Sequence, residues 1–198
     1  NFVIVSFVYD DTTYNAMRRV VLGDRNLEKI SLLNDLSRKM VMGSCSLDYA
    51  FRKMKDIKNK TRYSNLAVLS ALTISAPFFA IMFGGTFKDS IVSFVVMAVE
   101  AAFLLFIGRY KVIYFLTNFL GAFISTVLVM ILAKFFFIHN PVSIIIVSLM
   151  PLVPGVQITN SVRDFMAGDY LSGIIGVQSA IFVSVAIALG VVMGLKIV

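Results

Sequence analysis

The sequence has no tryptophan, a single cysteine (Cys45) and a single histidine (His139). One thiol excludes any disulfide within the chain, and so few soft ligands exclude a cysteine-rich zinc site. The sequence also contains no phosphate loop, no nucleophilic triad and no cluster of metal ligands. We therefore expect neither an enzyme nor a bound cofactor or metal.

Acidic residues are also scarce, with 11 Asp and Glu against 18 Lys and Arg, which gives a formal charge of +7. Twelve of the basic residues precede Tyr63 and alternate with seven acidic ones, a pattern typical of a solvated surface rather than of a nucleic-acid-binding stripe. What the chain has in abundance is apolar residues, at 59%, with a mean hydropathy of +0.88. This composition lies outside the globular range and predicts a protein that resides in a lipid bilayer.

Residues 1–62 are expected to form a small cytoplasmic α+β domain. The β-branched and aromatic run Phe2–Tyr9 precedes an Asp-Asp turn, and residues 12–21 follow as the second strand of a hairpin. Asn26 and Ser46 are each placed to cap a helix whose apolar residues recur at helical spacing. The domain is thus a hairpin followed by two helices.

Residues 63–198 contain five apolar runs, each near the length that crosses a bilayer core of about 30 Å. The runs cover residues 64–83, 90–107, 112–138, 141–156 and 171–195. Pro151 and Pro154–Gly155 interrupt the fourth, because proline removes a backbone donor and collides with the preceding turn. The expected fold is an α-helical polytopic membrane protein with five transmembrane helices, the fourth of them broken.

Positive charges predict the orientation of these helices. If the N-terminal domain is cytoplasmic, Arg109, Lys111 and Arg163 also lie inside, and only Lys88, Lys134 and Lys196 remain outside. The split of fifteen against three favours a cytoplasmic N-terminus and an external C-terminus. A second five-helix unit would then have inverted topology, so we expect half a transporter that needs a partner or a symmetric copy of itself.

Glu100 lies near the middle of the second apolar run. A carboxylate there costs about 2.5–3.5 kcal/mol or more, and burial favours its protonated form, so it is a candidate proton carrier. The alternative is a structural glutamate that bonds to a serine or an asparagine across a helix interface.

The segment after the broken run has two faces. Gln157, Asn160, Ser161 and Asp164 share one face at helical spacing, and apolar residues occupy the opposite face. A helix that begins at Pro154–Gly155 presents free N–H groups and a positive dipole end to a carboxylate, and Arg163 adds a charged fork. The alternative is an interfacial helix that lies flat at the cytoplasmic surface.

Residues 150–173 resemble the signature of the bacterial threonine/serine exporter family. The matching residues are Pro154–Gly155, Asn160, Arg163–Asp164, Gly168–Asp169 and Ser172–Gly173, and Gly84–Gly85 with Asp89 resembles the family's glycine pair and acid. Pro151 lies in the same stretch as a further structural residue. The chain departs from the family pattern at Gly176 and Ser179–Ala180, where members often have an arginine and a Glu-Ala.

The resemblance implies a ten-helix exporter in the bacterial plasma membrane, made of two five-helix units that are fused or encoded separately. This chain is similar to the first unit. The expected function is a subunit of a proton-coupled exporter of small carboxylate-bearing metabolites, with substrate near residues 154–164 and with Glu100 and Asp164 coupling the proton. The alternatives are a dicarboxylate (succinate-type) exporter subunit and a non-transporting subunit that regulates a partner. Expected partners are the bilayer, an amino acid or dicarboxylate, and a second five-helix subunit or a symmetric copy, with no nucleic acid.

Overall fold

The computed structural model describes residues 2–19, 26–60, 63–110, 112–136 and 138–197. The chain separates into two compact units, Asn1–Arg62 and Tyr63–Val198. Lys111 and the last two residues of the expected second strand lie outside the described residues.

The first unit begins with an antiparallel hairpin of β1 (Phe2–Tyr9) and β2 (Thr12–Arg19). Asp10 and Asp11 take positive φ angles of 49° and 53°, which gives the turn a twist that matches the twist of paired strands. Phe7 and Tyr14 are cross-strand partners whose rings stack with centroids 5.2 Å apart. The predicted hairpin is confirmed over the described residues.

Two helices follow, α1 (Leu27–Val41) and α2 (Leu47–Asn59). The Asn26 side chain accepts a hydrogen bond from the Lys29 amide at 3.0 Å, and the Ser46 hydroxyl accepts one from the Tyr49 amide at 3.3 Å. Both predicted caps are confirmed. Leu36 of α1 packs against Ala50 and Ile57 of α2 in a small core.

The described part of the second unit contains six helices. They are α3 (Asn65–Met82), α4 (Phe87–Ile107), α5 (Tyr114–Phe135), α6 (Pro141–Leu149), α7 (Gly155–Met166) and α8 (Tyr170–Ile197). Among the described residues, α3, α4, α5 and α8 are long and apolar enough to cross a membrane. The protein is therefore a multi-pass membrane protein. The expected fourth run corresponds to α6 and the turn after it, and neither α6 nor α7 is long enough to span by itself.

Helices α5 and α8 run parallel. Gly190 packs against Phe119 and Ala122 of α5, and Gly194, one turn further along α8, packs against Thr126, one turn further along α5. The two glycines let the backbones approach closely, as small residues do between membrane helices.

The segment between α5 and α8 runs back in the opposite direction. Leu152 shares a buried cluster with Val183, Ser161 lies against Gly176, and Phe165 lies over Gly173. Later residues of α7 thus contact earlier residues of α8, so the two helices are antiparallel. The chain returns from the end of α5 to the start of α8 through α6, a turn and α7.

Candidate functional site

The turn between α6 and α7 consists of residues 150–154, which include Pro151 and Pro154. The Leu152 and Val153 amides both donate to the Leu149 carbonyl, at 2.9 and 3.2 Å, which ends α6. Pro154 is the N-cap residue of α7 and provides no side-chain cap, and the position of a Cβ on Gly155 is in open space. The N-terminus of α7 is therefore uncapped and open, as the anion-site hypothesis requires.

The two faces of α7 point in opposite directions with respect to the rest of the unit. Ser161 is buried, and Gln157, Asn160 and Asp164 are partly buried. On the opposite face, the exposed fractions are 42% for Ile158, 49% for Val162 and 85% for Met166. The outward side of α7 is therefore mostly apolar, with Thr159 and Arg163 also exposed on it, and the inward side is polar.

The polar side chains of α7 bond to their own helix. Asn160 Nδ2 donates to the Val156 carbonyl at 2.7 Å, and Ser161 Oγ donates to the Gln157 carbonyl at 2.8 Å. The described residues include no ion pair that involves Arg163 or Asp164. The expected site residues thus lie along one helix without forming a network among themselves.

Glu100 is fully buried on α4 and faces α5. Its Oε2 accepts a hydrogen bond from Ser125 Oγ at 2.6 Å, and its Oε1 has no hydrogen-bond partner among the described residues. A Cβ on Gly121 would lie 2.6 Å from that oxygen and 3.2 Å from a methyl carbon of Leu152. The carboxylate is therefore enclosed by α5 and by the turn that breaks α6 from α7.

The two proton-coupling candidates are not brought together. Glu100 and Leu152, which belongs to the α6–α7 turn, both lie beside Gly121. Asp164 is much further along the chain, about 15 Å from Pro154 along the axis of α7 at the helical rise of roughly 1.5 Å per residue. The hydrogen bond from Ser125 to Glu100 is what the structural hypothesis for Glu100 predicts. The unpartnered Oε1 agrees instead with the proton-carrier hypothesis, because a buried polar atom without a partner among the described residues is costly unless it has a function.

Gly84, Gly85 and Asp89 form a second cluster, which joins the end of α3 to the starts of α4 and α6. Asp89 is buried and accepts hydrogen bonds from the Thr86 amide (2.8 Å), the Thr86 hydroxyl (2.9 Å), the His139 amide (2.9 Å) and the Asn140 amide (3.3 Å). Gly84 has a φ of +80°, and Gly85 lies against the Ala80 carbonyl and Ser143 Oγ. This geometry is structural, because one carboxylate holds the starts of two helices.

Gly168–Asp169 lie in the turn between α7 and α8, and Ser172–Gly173 lie in the first turn of α8. Gly168 has a φ of +82°, Asp169 accepts hydrogen bonds from the Ser172 amide (3.2 Å) and hydroxyl (2.8 Å), and the Phe165 ring lies over Gly173. This half of the signature fixes the antiparallel packing of α7 on α8.

Sequence reasoning interpreted the face of α5 that carries Gly121 and Ser125 as a close helix-packing face but did not assign it to Glu100, and it missed Leu152. Ser125 and Gly121 are four residues apart on one face of α5, so the sequence carried a signal that this face meets a polar group. Leu152 gave no such signal, because it lies in a turn between two prolines whose direction no periodicity predicts.

Comparison with known protein families adds a further finding. A family model, ThrE, described as "Putative threonine/serine exporter", matches residues 1–198, which is the whole chain. The chain matches no curated protein and no solved structure.

Proposed function

The chain belongs to the threonine/serine exporter family, and we propose that it is one half of a proton-coupled secondary exporter of small carboxylate-bearing metabolites. Its multi-pass helical unit is of the kind that such a carrier needs. The finer proposal adds a five-crossing topology, a substrate site on α7 and a proton site at Glu100.

The parallel course of α5 and α8 carries the proposal. Two membrane helices that run in the same direction require the chain to recross the bilayer between them, and the described part of the chain between them consists mainly of α6, the turn and α7. We count this segment as a broken crossing, which gives five. Irregular backbone at this depth is tolerated where protein surrounds it, and discontinuous helices are where secondary transporters bind substrate.

An odd number of crossings supports the half-transporter assignment. With the N-terminus in the cytoplasm of a bacterium and the C-terminus outside, a second five-helix unit would be inverted relative to this one. That unit is either a separate subunit or a symmetric copy of this chain. It would also cover polar side chains of α7 that are only partly buried here, such as Asn160 and Asp164.

The substrate site is proposed along the polar face of α7. The uncapped N-terminus at Pro154–Gly155 attracts the substrate carboxylate through its free N–H groups and dipole. Gln157 and Asn160 follow within two turns and supply amide groups for an amino or hydroxyl substituent. Arg163 and Asp164 lie at the far end of the same helix.

Glu100 is proposed as the proton carrier, together with Asp164. Ser125 holds one carboxylate oxygen, and Leu152 closes the space beside the other oxygen. Because Leu152 belongs to the α6–α7 turn, any movement of that turn during transport changes the access of water to Glu100. Proton exchange at Glu100 would thus be tied to the position of the broken helix.

The test is flux through proteoliposomes that contain this chain and its partner unit. Glu100→Gln keeps the size of the side chain and removes the titrating proton, so export should persist down a substrate gradient and lose its response to a pH gradient. Glu28→Gln, in the first unit, is the matched control. Unchanged coupling in Glu100→Gln would remove Glu100 from the mechanism.

A dicarboxylate substrate is the second candidate. The α7 N-terminus is one anion-attracting group, and the long side chain of Arg163 on the same helix is a second that could contact another carboxylate of the substrate. Efflux of radiolabelled succinate, serine and threonine from cells with and without the chain separates these substrates.

The remaining alternative is a subunit that regulates a transporting partner. In that case Asn160→Ala and Asp164→Asn lower flux only as far as they lower recovery of the complex. A loss of flux at full recovery of the complex excludes it.

A further inference from the structure

One face of α2 is apolar, basic and exposed in the described part of the first unit. Ala50 and Ile57 face α1, and Leu47, Phe51 and Met54 lie to one side of them with exposed fractions of 67%, 66% and 43%. The spacing of these three residues places Lys58 on the same stripe, because positions 47, 51, 54 and 58 are three or four residues apart.

A shallow groove of about 410 Å³ follows this stripe. Its lining residues are Phe51, Arg52, Met54, Lys55 and Lys58, and neither acidic residue of α2 contributes to it. The floor is therefore aromatic and aliphatic, and the rim carries two ammonium groups and one guanidinium group on flexible stems. Side chains of this kind lay their stems on an apolar surface and extend their charges to a polar boundary.

The position of α2 in the chain indicates what covers this face. Only residues 60–64 connect α2 to α3, which is a candidate membrane span. At about 3.5 Å per residue, α2 must end within roughly 20 Å of the point where α3 begins. A basic amphipathic helix tethered this closely to a bilayer has the features of an interfacial helix.

We propose that the Leu47–Phe51–Met54–Lys58 face of α2, with Lys55 at its edge, docks on the anionic lipid surface that α3 enters. Phe51 and Met54 enter the boundary between headgroups and acyl chains, and Lys55 and Lys58 contact lipid phosphates. The complementary charge is on the lipid, because anionic headgroups concentrate at the membrane surface and attract each nearby lysine.

The experiment uses the full chain in liposomes, with Cys45→Ala to remove the native thiol. An environment-sensitive fluorophore is attached at Phe51→Cys, or at Lys53→Cys on another side of α2, and quenching by spin-labelled lipid is measured. Liposomes of phosphatidylcholine alone are compared with liposomes that contain phosphatidylglycerol. We expect quenching at position 51 and not at position 53, and only with phosphatidylglycerol.

Charge variants identify the cause of the binding. Lys55→Gln with Lys58→Gln should lower the ratio of docked to undocked helix by roughly 30-fold, which is about fivefold for each lysine near the surface. Arg38→Gln with Lys53→Gln removes the same charge away from the face and should leave quenching at position 51 unchanged. The proposal is overturned if quenching at position 51 is the same in both double variants, or if position 51 is not quenched in anionic liposomes. It is also overturned if position 51 becomes shielded only after a protein partner is added.

Discussion

Gly121→Ala tests whether the Glu100 carboxylate is as closely enclosed as the structure indicates. The added Cβ would lie 2.6 Å from Glu100 Oε1, whereas ordinary contacts begin at 3.4 Å, so the oxygen must retreat by about 0.8 Å. It has little room, because Ser125 holds the other oxygen at 2.6 Å and Leu152 is 3.2 Å from the same Cβ. We expect a loss of about 1–3 kcal/mol, the usual cost of overpacking.

The assay is thermal unfolding in detergent, followed by the helical circular dichroism signal or by scattering, because Cys45 lies in the first unit and would not report on the second. For a chain of this size each kcal/mol corresponds to roughly 2–4 °C in Tm. The control is Gly155→Ala, where a Cβ has no neighbour within 4 Å and alanine favours the helix. If both variants unfold at the same temperature, the enclosure of Glu100 is wrong. In the double variant, Glu100→Ala should reduce the loss of stability that Gly121→Ala causes, with a coupling energy of about 0.5–3 kcal/mol.

Three further substitutions follow from the hydrogen bonds. Asp89→Asn replaces one of the two carboxylate oxygens that accept four hydrogen bonds, and should lower the free energy of unfolding by about 2–3 kcal/mol. A fall in Tm no larger than that of Lys88→Gln would contradict this role of Asp89. Asp169→Ala removes the cap of α8 and should cost about 1 kcal/mol in the same assay. Ser125→Ala leaves Glu100 without its donor and should cost about 1–3 kcal/mol, and it should alter the pH dependence of export; an unchanged pH profile would separate Ser125 from coupling.

Local features were predictable from the sequence because they depend on neighbours along the chain. Asn26 and Ser46 cap helices that begin at the next residue, and the Asp10–Asp11 turn needs no distant contact. Four apolar runs correspond to α3, α4, α5 and α8 within a few residues at each end, since hydropathy alone determines which segments favour lipid.

The partners of the buried carboxylates could not be predicted. Glu100 and Ser125 are on different helices, and Asp89 accepts from amides some fifty residues away, so both depend on helix packing that no local pattern encodes. The prolines predicted a break after α6 but not its direction. The face of α7 that turns inward depends on the contact between Ser161 and Gly176. Only glycine permits this contact, because a Cβ at position 176 would collide with Ser161 Oγ.

The most direct test of the account asks whether the chain crosses the membrane between α5 and α8. Single cysteines replace Val142 at the start of α6 and Met166 at the end of α7, both well exposed, in the Cys45→Ala background. A membrane-impermeant maleimide is then applied to right-side-out and inverted vesicles, and the unsubstituted chain, which keeps Cys45, is labelled in parallel to mark the side of the first unit. The account predicts that position 166 reacts from the same side as Cys45 and position 142 from the opposite side. Labelling of both positions from one side would contradict it.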